Sequence, residues 1–571
     1  MSKILITICC CFCLGAWAQG IDARVHAVAS DPTWLGLLQV HDGVRTGAAD
    51  FYVSPKGQTP AQELAQTLAA VQDPAQSAAF ACRFPARYWF ITHRFGLPGG
   101  KEQLRRCERL MTAIEIDRIE GLSLVLVGSY LSNPASSFGH TLLRLHQTSA
   151  QGIERDLSFN YGAVIPQNEN VVAYIAKGVF GWYAAAFSDQ EPFVHDITYN
   201  HLENRDSWSY AIEHGEDDRL LIALHLWEMA GAKFTYYFFS RNCAWQMANA
   251  LRLTLAEPSG PAPSVPWWTL PVDVVHELQD QAKVRAVTHT ASHQRQLNAA
   301  LERLNPIDAV RFMELIQSDA AVDAQRDSTA LINAVVDYYT WRNASNALEA
   351  DEERRLAGLR EQAVLARLQL PPEARPLVPE PQPSPADGNK PIKFSLGYQD
   401  RPTASWSAYS QGPLDPHALG VGHIRALVFE VSRPTQGWQL EAFTFLDIER
   451  IQSSDAFELN GFSPSWRIRW DMFREDGLKP RAKGSLGWSH VRDRWSATAY
   501  ADLTVVPGQT RVDPVLSLLH RGSRTQSQVE ISGDGRRSAS LQYQWTKTYF
   551  LGASYQKHRQ GSVGVSVGAY W

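Results

Sequence analysis

Asn133-Pro134-Ala135-Ser136-Ser137-Phe138-Gly139-His140, answered about a hundred residues later by Arg241-Asn242-Cys243, decides how this chain is read. After Gly139 the run Thr141-Leu142-Leu143-Arg144-Leu145 has the character of a strand, which puts His140 at its mouth. The aromatic run Tyr236-Tyr237-Phe238-Phe239 reads as another strand. It leads through Ser240-Arg241-Asn242 into Ala244–Leu251, whose residues favour a helix. Cys243 therefore opens a helix, where the positive end of the macrodipole and unpaired N–H groups favour a thiolate and can hold an oxyanion. An imidazole within hydrogen-bond reach would complete a Cys-His pair for acyl transfer.

Outward from this pair, the flanking sequence is mixed α/β from about residue 120 to 290. Leu122–Tyr130 is a buried-strand run and Asp156–Gly162 reads as a neighbouring strand. Phe193–Tyr199 alternates, and Asp217–Met229 is an amphipathic helix. Before this region, from about 20 to 118, the pattern is helical: a capped start at Asp31-Pro32, the stripe Leu64, Leu68 and Val71 within Pro60–Gln72, and a run from Lys101 to Ile116. Amphipathic helices return between 292 and 370, and the proline-rich stretch 371–391 reads as a semi-extended linker.

Cysteine usage sharpens the choice of nucleophile. Lys3, the apolar run Ile4–Leu14 and Ala16-Trp17-Ala18 have the form of a secretory signal peptide over residues 1–18. Four of the seven cysteines, Cys9, Cys10, Cys11 and Cys13, lie within it. In an oxidising compartment Cys82 and Cys107, both in the helical region, pair most simply with each other. Cys243 is then the odd thiol. A lone cysteine is more often an inert core residue, but the start of a helix and the histidine strand favour a reactive one.

The last part, 392–571, changes period to two. Trp438–Thr444, Trp466–Met472, Trp495–Val505 and Leu541–Trp545 alternate apolar with polar residues. The C-terminal strand sets Val563, Val565, Val567, Ala569 and Trp571 on one face, with Gly564, Ser566 and Gly568 between them. Such runs with aromatic ends match transmembrane β-strands, and a barrel of about eight to twelve strands is expected. A soluble β-sandwich alternates equally well, but its second face would more often be charged.

The blocks Asn133–Thr141, Asn160-Tyr161-Gly162-Ala163, Lys177-Gly178-Val179-Phe180-Gly181, Glu203–Trp208, His225-Leu226-Trp227-Glu228 and Asn242-Cys243 occur in an order that resembles the Lnb N-terminal periplasmic domain family. The resemblance covers roughly residues 120–290. It implies a permuted papain-like thiol fold, with relatives among NlpC/P60 and lecithin:retinol acyltransferase domains, and a Cys-His site on Cys243 and His140. The transacylase after which the family is named moves an acyl chain from a lipoprotein's glyceryl ester to its N-terminal amine. This chain departs from that protein in its C-terminal half.

The expected fold class is a multidomain α+β protein. It would have a helical N-terminal region, a permuted papain-like α+β domain, a helical arm and a C-terminal antiparallel β-barrel. Asn160, on the adjacent strand, is the candidate for orienting the imidazole, and Ser137 is the alternative. Substrate contacts fall to Ser137, Tyr161, Lys177, Arg205 and Asn242. For the basic residues the competing reading is an ion pair with an acid such as Glu203.

His195, His201, His214 and His225 share a region without metal-ligand spacing, and there is no glycine-rich phosphate loop, so neither metal nor cofactor is expected. With a net charge of −5 nothing argues for nucleic acid. The expected partners are the outer membrane and a lipoprotein or phospholipid acyl donor. Two other readings stand beside acyl transfer: a peptidoglycan amidase or peptidase, and a non-catalytic outer-membrane scaffold.

Overall fold

A computed structural model describes residues 25–41, 43–55, 58–129, 137–166, 169–190, 204–255, 268–343, 349–372, 379–417, 422–435, 437–451, 464–492, 494–557 and 561–571. The expected signal peptide, residues 133–136, the Phe193–Tyr199 segment, Glu203 and part of the 371–391 linker lie outside them. The chain divides into two compact units, Met1–Val127 with Gly139–Pro381, and Gly128–Phe138 with Gln382–Trp571.

The first unit begins with helices and a small hairpin, β1 (Val40–His41) with β2 (Val44–Arg45). Pro60–Gln72 starts where the sequence says it should. Thr59 caps it, Pro60 takes the first position, and Gln62 closes a reciprocal capping box. The expected continuous run from Lys101 to Ile116 is instead two short helices, Gly100–Leu104 and Glu108–Ala113. The chain breaks between them at Cys107, which is joined to Cys82 by the disulfide.

Under these helices lies a buried charge cluster. Arg87 is fully enclosed, 3.5 Å from Glu63 and 3.4 Å from Glu228, and its guanidinium donates to the Phe51 carbonyl at 2.6 Å. Glu228 belongs to the helix Glu216–Ala230, so the cluster ties the N-terminal helices to an element that packs on the central sheet.

That sheet has seven antiparallel strands: β3 (Ile119–Val127), β4 (His140–Gln147), β5 (Leu157–Ala163), β6 (Tyr183–Gln190), β7 (Ser207–Ile212), β8 (Lys233–Tyr236) and β9 (Val284–Thr290). Their order is β8-β6-β5-β4-β3-β7-β9, so the histidine strand β4 is central and buried between β5 and β3. β8 ends at Tyr236 rather than running on through Phe239. Residues 237–242 turn instead, with Phe238 N–H donating to the Gly178 carbonyl. The helices His293–Glu302, Pro306–Ser318, Thr329–Asn343 and Ala350–Leu368 complete this unit.

The second unit holds a closed barrel of twelve antiparallel strands: β10 (Lys393–Gln399), β11 (Arg401–Gln411), β12 (Gly422–Ser432), β13 (Gln439–Arg450), β14 (Ser465–Arg474), β15 (Leu478–Arg492), β16 (Trp495–Val506), β17 (Gln509–Arg521), β18 (Thr525–Ser532), β19 (Arg537–Gln544), β20 (Tyr549–Lys557) and β21 (Gly561–Tyr570). Each strand pairs with the next, and β21 closes on β10 with Tyr570 opposite Lys393.

Its polarity is inverted relative to a barrel in water. Leu486, Trp488, Leu503, Val505, Leu516, Val565 and Val567 face outward and are exposed, whereas Ser485, Ser489, Thr498, Asp502 and Thr504 face inward and are buried. Exposed apolar side chains on one face of ten of the twelve strands require an apolar solvent. Closure leaves no unpaired strand edge, as lipid demands. Among the described residues no helix is long and apolar enough to cross a membrane.

Candidate active site

His140 owes its place to Gly139. Gly139 has φ +92°, and a Cβ there would stand 2.9 Å from the Val127 carbonyl oxygen, so a side chain would force apart the turn that starts β4 opposite Val127. Leu142 of β4 is in register with Asn160 of β5, which carries Asn160 to the same face as His140. His140 Nε2 and Asn160 Oδ1 lie 2.6 Å apart. Because an amide oxygen can only accept, Nε2 carries the proton and Nδ1 remains for the sulfur.

Cys243 opens the helix Cys243–Arg252, which packs on β4 and β5. The helix starts here because Asn242 caps it, Oδ1 accepting from Trp245 N–H at 3.1 Å. The Asn242 amide also donates to the carbonyls of Phe238, at 3.0 Å, and Thr269, at 2.7 Å. The polar atoms of Asn242 are thus taken up in holding the loop and the cap in place.

The thiol is 4% exposed and is the free cysteine among the described residues. Burial alone would push its pKa up. The charge of His140, its hydrogen bond to the sulfur and the Thr141 N–H outweigh burial and bring the thiol down to about 7. For His140, burial favours the neutral ring and Arg205 opposes a second positive charge. The thiolate and Asn160 prevail, and the pKa is raised. The pair therefore favours thiolate and imidazolium together.

Two residues beyond the expected set meet at this site. Thr141 turns its backbone N–H towards the sulfur. Tyr236, at the end of β8, accepts the Cys243 N–H on its phenolic oxygen, and burial and the neighbouring thiolate keep that phenol firmly protonated. Thr141 was findable as the neighbour of His140. Tyr236 stood hidden in an aromatic run where nothing marks one ring from the next.

The remaining expected residues divide. Arg205 is buried and close enough to His140 to oppose its charge. Tyr161 is fully buried and stacked with Tyr236 at 5.8 Å between ring centroids, so it packs beneath the dyad. Lys177 pairs with Glu169 at 2.9 Å, on the outer side of the helix Val171–Phe180. Ser137 is buried and lies in the segment 128–138 that clusters with the second unit.

A thiol at a helix start, facing a histidine from an upstream strand, is the arrangement on which the comparisons bear. Residues 112–281 match the Lnb N-terminal periplasmic domain family. A second match, over residues 26–94, is to a domain of unknown function (DUF7843), so the helical segment before the Lnb-like domain is a recurrent unit of its own. No curated protein matches the chain significantly.

Solved structures similar to the barrel include the KdgM porin in complex with disordered oligogalacturonate, at 11% identity over 32% of this chain and 98% of that one, with a TM-score of 0.22. Others are the NanC porin, at 10% identity over the same shares with a TM-score of 0.20, and a Rhodopseudomonas blastica porin, at 10% identity over 32% and 98% with a TM-score of 0.16. Closure, strand pairing and inverted polarity define the barrel independently of these likenesses. The barrel and the periplasmic domain family together point to an outer-membrane protein of a Gram-negative envelope.

Proposed function

We propose that this protein is an envelope acyl-transfer enzyme that uses Cys243 as nucleophile and His140 as its proton partner, with a lipoprotein or phospholipid of the outer membrane as acyl donor. The observation that carries the reading is a buried thiol at the start of a helix, facing a histidine that Asn160 orients and whose charge draws the thiol's pKa down. An inert buried cysteine would have its pKa raised instead.

The chemistry follows from the groups present. The Cys243 thiolate attacks the carbonyl carbon of an ester, and a carbon–sulfur bond forms while the carbonyl oxygen takes up negative charge. The protonated Tyr236 phenol, beside the sulfur, is the donor placed to hold that oxyanion. When the carbon–oxygen bond breaks, the His140 imidazolium gives its proton to the departing alkoxide, leaving a thioester and a neutral imidazole. The imidazole then takes a proton from the incoming amine or water as it attacks the thioester. Throughout, Asn160 keeps the ring in one orientation. The family resemblance and the lipid-facing barrel of the same chain support a donor drawn from the membrane.

Mass spectrometry of envelope lipoproteins from a deletion strain, complemented with the wild type or with Cys243→Ala, tests the substrate. An acylation pattern altered in the deletion strain, restored by the wild type and not by the variant, is expected. Unaltered lipoproteins with altered muropeptides would move the assignment to the cell wall.

A further inference from the structure

The barrel of the second unit has an interior that does not look like a pore. Between β11 and β12 the chain turns inward, and Gly412, Pro413, Leu414 and Asp415 line the central cavity together with Ser554 of β20 and, from the opposite wall, Gln528 and Glu530. Asp415 is 4% exposed, and its carboxylate accepts four hydrogen bonds. One oxygen takes Lys393 Nζ at 2.6 Å and the Tyr570 hydroxyl at 2.6 Å. The other takes the Ser410 hydroxyl at 2.5 Å and Gly412 N–H at 2.8 Å. Across the mouth, Gln542 of β19 donates to the Leu414 carbonyl at 2.7 Å and to the Tyr570 hydroxyl at 2.8 Å. The turn is thereby stitched to β10, β19 and β21.

Deeper in, charged pairs span the lumen rather than lying along the wall. Arg467 of β14 reaches Glu530 of β18 at 3.2 Å while also pairing with Asp447 at 3.4 Å. Tyr500 of β16 donates to Glu449 of β13 at 2.9 Å. Glu449 in turn pairs with His423 of β12, to which Arg521 of β17 is bonded. Strands three to five places apart in the barrel order cannot meet through neighbouring pleats, so the Arg467–Glu530, Tyr500–Glu449 and Arg521–His423 contacts are chords across the bore. The space left between the turn and the struts is a chamber of about 370 Å³.

We infer that this barrel is a sealed anchor and not a solute channel, with Asp415 latching the β11–β12 turn over one mouth and the Arg467–Glu530 and Tyr500–Glu449 contacts bracing the bore beneath it. The turns at the other end fit the same role. They lie between residues 399 and 401, 432 and 439, 474 and 478, 506 and 509, 532 and 537, and 557 and 561. None is long enough to form a binding loop at that face.

Conductance of the full-length protein in planar lipid bilayers in concentrated KCl tests this. The wild type is expected to give no steps above baseline. A variant carrying Asp415→Ala, Arg467→Ala and Glu530→Ala is expected to give discrete openings. Heat-modifiable migration on gels shows that each barrel has folded. Steady wild-type openings would overturn the inference, and so would a folded triple variant that stays silent.

A second measurement leaves the seal intact and covers a variant that fails to fold. Ser554→Cys, placed in the chamber in a Cys243→Ser background, is expected to react at least tenfold more slowly with a bulky thiol reagent than with a small one. Equal rates for the two would contradict a sealed bore.

Discussion

His140→Ala is the most informative single change, because its effect on Cys243 can be worked out in advance. At pH 7 a thiol with a pKa of about 7 is roughly half thiolate, whereas one at the ordinary 9.0 is about 1% thiolate. Removing the imidazole removes the two largest influences that oppose burial, so the variant thiol is expected near the ordinary 9.0 again. The thiolate population then falls about 50-fold. A more basic thiolate is also a better nucleophile, with a slope of about 0.4–0.5 in log rate per pKa unit, which returns roughly 6–10-fold.

The net expectation for iodoacetamide alkylation of Cys243 is a loss of about 5–8-fold at pH 7, with a crossing of the two profiles at alkaline pH. The inflection itself should move from near 7 to near 9. An unchanged inflection, read by mass spectrometry of the Cys243 peptide across pH, would refute the pairing of sulfur and ring.

Three further outcomes follow from named contacts. Arg205→Gln removes a positive charge that opposes protonation of His140, so the His140 titration followed by NMR should move upward; a downward move would mean that Arg205 supports the imidazolium through another group. Arg87→Met strands Glu63 and Glu228 in the core of the first unit and should cost about 3–5 kcal/mol in thermal unfolding, while an exposed-site control such as Arg106→Met costs little. Replacing Cys82 and Cys107 together with serine opens a loop of sequence separation 25 and should cost about 3.5 kcal/mol by chain entropy.

Much of the architecture was legible because period and position carry it. Strict alternation from Trp495 to Val505 and at Val563, Val565 and Val567 marked the barrel, and exposure of the apolar face identified its solvent. His140 and Cys243 stood out by position: one after a glycine at a strand mouth, the other after a capping asparagine. The structure brings both together with Asn160 because strand register puts residues 142 and 160 opposite each other.

What could not be read was set by tertiary contact. Tyr236 and Thr141 reach the sulfur only once β8 and β4 frame the same helix end. The strand β9, next to β7, follows a helix, and its exposed pattern lacks an apolar period. The struts of the lumen join residues such as Arg467 and Glu530 that are 63 positions apart, so no local pattern could announce them. Asn242 illustrates the reverse case: a polar residue beside the nucleophile suggested substrate contact, yet its hydrogen bonds are spent on the cap and the loop.

The most direct test is to trap the intermediate. Purified protein in outer-membrane lipid, mixed with a diacylated lipoprotein and quenched in acid, should yield a Cys243 peptide heavier by one fatty-acyl group. That adduct should be lost on treatment with neutral hydroxylamine and absent from His140→Ala. Lipoprotein or phospholipid that turns over while Cys243 stays unmodified, or turnover that survives Cys243→Ala, would contradict a thioester on this sulfur.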